Sequence, residues 1–339
     1  MRARRLVAMR PHHLKLEEFE LADRPPPGYV LAQTSCTLIS TGTELANWTG
    51  ITADRRAMGE DWSAHPYRPG YSYVGVVRAV GDGVAGMTIG DRVCGQGGHA
   101  SAAILDAGKI AVVPAGVSDV QASFATLLVI TMHAVRRAGI ELGERVAAVG
   151  LGLIGNLALQ QARLCGAMPV AGSDVLAARR EYAERVGLLT LDPGAADVEE
   201  RVRQLTDGER FDVVFEATGS PAALTPALKL AAPHGRVVAL GSTRGLVEQF
   251  DLYGDVHVPG ITLIGAHATT APQLPNCANR WTEEANRTLA LRLLAERRVK
   301  VDSLVSHREP PERAPEIFAL LADRRAEAMG VVLDWRESR

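Results

Sequence analysis

From Arg145 the chain runs Arg-Val-Ala-Ala-Val-Gly150-Leu-Gly152-Leu-Ile-Gly155, an apolar strand opening into three glycines, and Asn156–Ala167 continues as an alanine-rich apolar helix. A strand that turns on glycines into a helix must lay that helix back against a sheet. In this arrangement Gly150 permits the tight turn, Gly152 leaves room for backbone to approach a pyrophosphate, and Gly155 lets helix and strand pack closely. The helix start at Leu153 and Ile154 adds N–H groups and a positive dipole end that suit an anion. A second apolar strand, Met168–Asp174, follows, and its terminal acid lies about 20 residues past the last glycine, where a carboxylate takes the hydroxyls of an adenosine ribose. Together these features predict an NAD site. The alternatives are an ordinary strand-to-helix turn for the glycines and, for Asp174, the N-cap of a helix over Leu176–Val186. Arg179 and Arg180 are suited to a 2′-phosphate, but Asp174 would repel it, which favours NAD over NADP.

The rest of the chain arranges itself around that turn. From Leu6 to about Val120 it reads as short strands broken by turns, clearest at Val30–Ile39 and Tyr73–Val80, with little helix. Thr49–Ala64, which holds Trp62, has no clear periodicity. A helix is expected over Ala122–Ala138, and after Arg145 strands and helices alternate through Leu188–Asp192, Phe211–Glu216, Gly235–Gly241 and Ile261–Gly265. Alternation of this kind predicts an α/β fold with a doubly wound parallel sheet. Its ligand belongs at the carboxyl ends of the strands, which brings Thr218, Gly219, Gly241 and Ser242 toward the cofactor. The tail then reads as helix at Trp281–Arg298, strand at Val301–Val305, helix at Pro311–Arg325 and strand at Gly330–Trp335. Too short for a domain of its own, it is expected to return and close the first. The expected domains are therefore 1–125, completed by 270–339, and 126–269.

With 339 residues, 47% of them hydrophobic, the chain can bury the cores of two domains. A net charge of -2 without a basic stripe argues against nucleic acid as a partner. The basic start lacks the apolar centre of a signal peptide, and no apolar run reaches the roughly 18 residues of a membrane span. A cytoplasmic location without membrane attachment is the expectation. Cys36, Cys94, Cys165 and Cys277 are scattered, with no spacing that suggests a disulfide framework or a structural zinc site.

Several segments in order resemble the medium-chain dehydrogenase/reductase superfamily, alcohol dehydrogenase type. They are Pro26-Pro-Gly28-Tyr-Val-Leu-Ala, Ile39-Ser-Thr-Gly42-Thr-Glu44, Pro69-Gly70-Tyr-Ser-Tyr-Val-Gly75, Gly90-Asp-Arg-Val93, the glycine turn, Glu216-Ala-Thr-Gly219 and Gly330-Val-Val-Leu. The resemblance implies a GroES-like β-rich catalytic domain, a Rossmann domain, a substrate cleft between them, and dimers that often join their sheets edge to edge. Thr-Gly-Thr-Glu with the Gly-Val-Val-Leu-Asp-Trp ending is similar to a branch that contains bacteriochlorophyllide a dehydrogenase and sugar or polyol dehydrogenases.

The departures concern metal. Where the family's zinc members carry a cysteine, this chain has Thr41; where they carry Gly-His-Glu, it has Gly70-Tyr71-Ser72; the third ligand position falls at Ala125-Thr126-Leu127. None of these supplies thiolate, imidazole or carboxylate, the donors zinc takes. The four-cysteine lobe is also missing, since Val93-Cys94-Gly-Gln-Gly-Gly-His99 runs directly into the next strand. Zinc-independent chemistry is expected. A side chain must then handle the proton of the alcohol, and Tyr71 is the leading candidate, with strand packing beside Tyr73 as the alternative.

By the resemblance, Thr43 is the hydroxyl that passes the substrate proton on, but the histidine beyond it is Ala46. Glu44 corresponds to an acid paired with a cation whose position is Gly330 here, so it is either a cleft-facing base or a structural hydrogen-bonding group. His99, in the shortened lobe, reads as a surface-loop histidine, with a reach into the cleft as the alternative. Thr131 matches the residue that touches the nicotinamide edge, with core packing as its alternative.

The expected function is hydride transfer between NAD and a secondary alcohol or ketone of polyol or sugar-like chemistry, in a homodimer or homotetramer acting on a small molecule. The alternatives are an NADPH-type reductase of activated double bonds, as in zinc-free branches, and a nucleotide-binding protein without catalysis.

Overall fold

The computed structural model describes residues 1–50, 65–274, 281–323 and 328–336. The chain divides into two compact units, one formed by 1–126 with 273–339 and the other by 127–272. The expected loop at Thr49–Ala64, Trp62 included, lies almost wholly outside the described residues.

The first unit opens with a hairpin of β1 (Arg2–Arg10) and β2 (His13–Glu20), paired antiparallel. After the Pro25–Gly28 turn come β3 (Tyr29–Leu38), a short helix α1 (Thr43–Trp48), β4 (Tyr73–Val80), β5 (Arg92–Gly95), β6 (Ala102–Asp106) and β7 (Ile110–Val112). Helix α2 (Asp119–Ala122) starts at Ser118, whose hydroxyl and Gln121 form a reciprocal capping box. That cap, with Phe124 fully buried, splits the single helix expected over Ala122–Ala138, so α3 (Ala125–Ala138) begins only at Ala125.

In the second unit β8 (Val146–Val149), α4 (Leu153–Leu164), β9 (Val170–Ser173), α5 (Ala177–Arg185), β10 (Leu189–Leu191), α6 (Val198–Leu205), β11 (Phe211–Glu216), α7 (Leu224–Leu230), β12 (Ala231–Ala239) and β13 (Thr262–Gly265) follow one another. All six strands are parallel, in the order β10-β9-β8-β11-β12-β13. This is the doubly wound Rossmann order, whose direction reverses between β8 and β11, where such sheets bind their ligand. Near-continuous apolar strands suit a sheet covered on both faces, and Ala147, Phe211, Val214 and Val237 fill its core.

Helix α8 (Glu283–Ala295), β14 (Val305–Glu309), α9 (Ala314–Asp323) and β15 (Gly330–Asp334) belong to the first unit again. The strand expected at Val301–Val305 is a helical turn at Asp302–Leu304. Pairing starts only where Val305 meets Gly330, so β14 lies further along. The first unit's sheet runs β14-β15-β3-β4-β5-β7, with β6 also on β3. Strand β15 therefore sits inside the sheet, antiparallel to β3 and parallel to β14. One core gathers Leu6, Ile39, Trp48, Phe318, Leu333 and Trp335, and another Val30, Tyr73, Val77, Val93 and Leu105. The GroES-like plus Rossmann α/β class stands as expected.

Candidate functional sites

In the second unit the glycine turn is held against its neighbours. An added Cβ at Gly155 would lie 1.9 Å from the Gly150 carbonyl oxygen, so only glycine lets α4 start this close to β8. Leu153 and Ile154 head α4, and its N-cap, Gly152, brings no side-chain acceptor to the first N–H groups. At Gly152 an added Cβ would find only Arg179 Nη1, at 3.7 Å, so the face that a phosphate approaches is open and edged by a guanidinium. Asp174, just past β9, accepts from Leu151 N (2.8 Å) and Leu176 N (2.9 Å). The N-cap of α5 is Leu176, so the Asp174 carboxylate closes a local turn and ties β9 to the glycine turn. Each carboxylate oxygen keeps a further lone pair for a ribose hydroxyl. Arg180 is committed elsewhere, to the Asp174 carbonyl (2.6 Å) and Asp192 (2.7 Å).

Buried Glu216 organises the next loops. Its Oε1 accepts from Thr218 N, Thr218 Oγ1 and Gly219 N, while Oε2 accepts from Thr243 Oγ1 (2.9 Å). Thr218 thus stands against Gly150, and Gly219 packs on Gly241 and Ser242. The sequence-derived set Gly150, Gly152, Leu153, Ile154, Gly155, Asp174, Thr218, Gly219, Gly241 and Ser242 is brought together at one end of the sheet. Thr131 is not offered to a ligand: it is fully buried, and its hydroxyl donates back into α3, to Leu127 O (3.0 Å) and Leu128 O (3.1 Å). An open glycine cradle, a helix start and a carboxylate at the ribose position fit a dinucleotide.

In the first unit, Tyr71 precedes β4 and is half-buried, and its hydroxyl donates to Ser40 Oγ. Tyr73, two residues on, is buried and donates to Ala32 O (3.0 Å), and burial raises its phenol above the ordinary range. The packing alternative therefore describes Tyr73 and not Tyr71.

Glu44, in α1, has no exposed surface, so it cannot meet a substrate as a cleft-facing base. Its Oε1 accepts from Ser40 N (2.9 Å), and its Oε2 lies 2.8 Å from His99 Nε2. The partner that the resemblance places at position 330 comes instead from His99, because a Cβ at Gly330 would press within 2.7 Å of Leu304 O. His99 is 1% exposed, a correction to its reading as a surface-loop residue. Its Nδ1 lies 2.7 Å from Thr37 Oγ1, to which Trp335 Nε1 donates (3.0 Å). Gly70 makes this crossing possible, since a Cβ there would meet His99 N at 2.5 Å. Thr41 and Thr43 are half-buried around the start of α1. Trp48 packs edge-on against Phe318 in the core.

Sequence reasoning missed Ser40, Thr37 and Trp335, and misplaced His99. Ser40 meets Tyr71 across 31 positions, and Thr37, His99 and Trp335 pair across 55 to 298, and no local pattern announces such contacts. The one available signal was the Gly-Gly before His99, which lets a polar side chain pass inward.

The residues at the expected zinc positions do not fit that metal. Thr41, Tyr71, Ser72 and Ala125–Leu127 hold no zinc donor of the ordinary kinds, and among the described residues no group of three or more His, Cys, Asp or Glu could hold a metal ion. Cys94 is buried, and burial pushes its thiol up to about 12.

Comparison with known proteins finds dehydrogenases of this fold. A family model described as zinc-binding dehydrogenase matches residues 154–284, a stretch that contains none of the expected metal positions. The D-guloside 3-dehydrogenase of Escherichia coli (strain K12) is 28% identical over 265 residues, 77% of this chain and 75% of that protein. Two solved structures share the fold over 98% of this chain and 99% of theirs. One is a putative zinc-binding dehydrogenase from Sinorhizobium meliloti 1021 bound to NADP, with TM-score 0.81 and 22% identity. The other is described as a short chain alcohol dehydrogenase from Escherichia coli CFT073, complexed with NADH, with TM-score 0.81 and 18% identity.

Proposed function

The chain belongs to the medium-chain dehydrogenase/reductase superfamily, and on that footing we propose that it is an NAD-dependent oxidoreductase of a secondary alcohol or ketone, polyol or sugar-like, in which Tyr71 replaces zinc. The observation that carries the reading is the hydrogen bond between Tyr71 and Ser40, at a position where the family's zinc members have a metal ligand. When bound, the nicotinamide supplies or accepts the hydride. In the reducing direction the Tyr71 hydroxyl gives its proton to the carbonyl oxygen, and the Ser40 hydroxyl turns to donate to the phenolate left behind. In the oxidising direction the same phenolate takes the alcohol proton.

NAD is preferred to NADP on charge. Asp174 would face the 2′-phosphate, and Arg180 is engaged by Asp192 and the Asp174 carbonyl. Homodimers through the free edge of β13 fit the exposed Leu252, Tyr253, Val258 and Leu263 before and along that strand. Among the described residues no helix is long and apolar enough to cross a membrane.

The test is a substrate screen on metal-analysed protein. Turnover of a polyol or sugar with NAD and without stoichiometric metal is expected. NADPH-driven reduction of enones or quinones, with no alcohol oxidised, would overturn the reading in favour of double-bond reduction. Binding of NADH without any turnover would leave a nucleotide-binding protein.

A further inference from the structure

Behind Tyr71 runs a buried line of polar side chains whose donors and acceptors can be assigned one by one. An indole N–H only donates, so Trp335 occupies a lone pair of Thr37 Oγ1. Thr37 is fully buried, and among the described residues His99 Nδ1, at 2.7 Å, is the one acceptor its hydroxyl hydrogen meets. Were Nδ1 protonated, it too would donate to that oxygen and strand the hydroxyl hydrogen in a dry place, at the cost of an unmade hydrogen bond. Thr37 therefore donates to Nδ1, and His99 carries its proton on Nε2. That proton points at Glu44 Oε2, 2.8 Å away, and both side chains are wholly out of solvent. The other Glu44 oxygen accepts the backbone N–H of Ser40, the residue whose hydroxyl meets the Tyr71 phenol.

We infer that Trp335, Thr37, His99 and Glu44 form a positioning relay that holds Ser40 in place for Tyr71, with the tautomer of His99 set by the far end of the chain. The inference rests on the reading of Tyr71 as the acid and base. His99 touches neither substrate nor cofactor in this scheme. It keeps the buried Glu44 carboxylate doubly hydrogen-bonded, because a buried charge with too few partners is expensive. With the donor removed, Glu44 shifts and Ser40 loses its backbone anchor.

Two substitutions separate the two ends of the imidazole. In His99→Gln the amide nitrogen reaches about as far as Nε2 and can still donate to Glu44. In His99→Asn the amide ends near the level of Nδ1 and keeps only Thr37. With NADH and a ketone substrate, His99→Gln should keep kcat within about fivefold of wild type, whereas His99→Asn should lose about 10- to 100-fold, the worth of a hydrogen bond to a charged group. KM and NADH affinity should hold in both, since the lost contact serves the chemical step. In a Tyr71→Phe background, His99→Asn should cost nothing further.

Nitrogen-15 NMR of imidazole-labelled wild-type protein reads the tautomer without activity, and a protonated Nε2 with a bare Nδ1 is expected. A protonated Nδ1, or equal losses in the Gln and Asn variants, overturns the relay while leaving Tyr71 its role. Unchanged turnover in Tyr71→Phe overturns the reading of Tyr71 itself and with it the purpose assigned to the relay. If either His99 variant fails to fold, the NMR result on wild type decides.

Discussion

Tyr71 and Tyr73 stand two positions apart and carry the same side chain, yet their surroundings give them different chemistry. Tyr73 is sealed in the core with its hydroxyl spent on Ala32 O, and burial keeps its proton on. Tyr71 keeps an exposed side and a hydroxyl neighbour. Tyr71→Phe should therefore lower kcat by about 100-fold or more, the usual worth of a placed acid or base, with NADH affinity unchanged in a fluorescence titration. Tyr73→Phe should leave turnover intact and cost about 1 kcal/mol in urea unfolding, the net value of one buried hydrogen bond. Tyr71 stands out in the sequence because it replaces a residue at a recognisable position. Its support was not: Glu44 reads equally well as a base, and His99 as a loop residue, until the fold closes 55 residues of chain between them.

Elements with a local rhythm were the legible ones. The strand, turn, helix and second strand around Gly150 needed only spacing to be found, because every contact that defines them falls within one turn or one crossover. Gly155→Ala should abolish NADH binding and cost about 1–3 kcal/mol, since its methyl would collide with the Gly150 carbonyl at 1.9 Å. Asp174→Asn removes the charge that opposes a 2′-phosphate, and the ratio of kcat/KM for NAD over NADP should fall by about 10- to 100-fold.

Strand β14 was misplaced because its position depends on pairing with β15, far along the chain. That pair also carries a pH dependence. Burial pushes the Asp334 carboxyl up, but hydrogen bonds from Arg336 and Arg308 outweigh it and hold it down from 3.8 to about 2. Its contribution is thus complete above the ordinary carboxylate value and is lost as pH falls from about 4 through 2. Discounted for the half-exposed arginines, it amounts to about 1–2 kcal/mol. The urea midpoint of Asp334→Asn should lie below that of wild type at pH 6 and converge with it near pH 2.

The two units differ in how the chain builds them. The second is one continuous stretch, 127–272, with its own parallel sheet, core and glycine turn. Expressed alone, that stretch should melt cooperatively and gain stability from NADH, by about 2.7 kcal/mol at 100 times the dissociation constant, as read by thermal unfolding. An unfolded or NADH-blind fragment would show that the sheet needs the remainder of the chain. The first unit has no such independence, because β15 lies between β14 and β3, in the body of a sheet whose strands β3 to β7 were made well over 200 residues earlier. During synthesis the opening strands must wait with an unfilled slot while everything after them emerges. The nucleotide-binding half can finish first, and the half that was translated first is completed last. Trp335 directly follows that strand, so the partner that orients His99 is made only after β15. A chain cut short before Gly330 would keep its dinucleotide unit and lack both the missing strand and the residue that sets the proton on the buried imidazole.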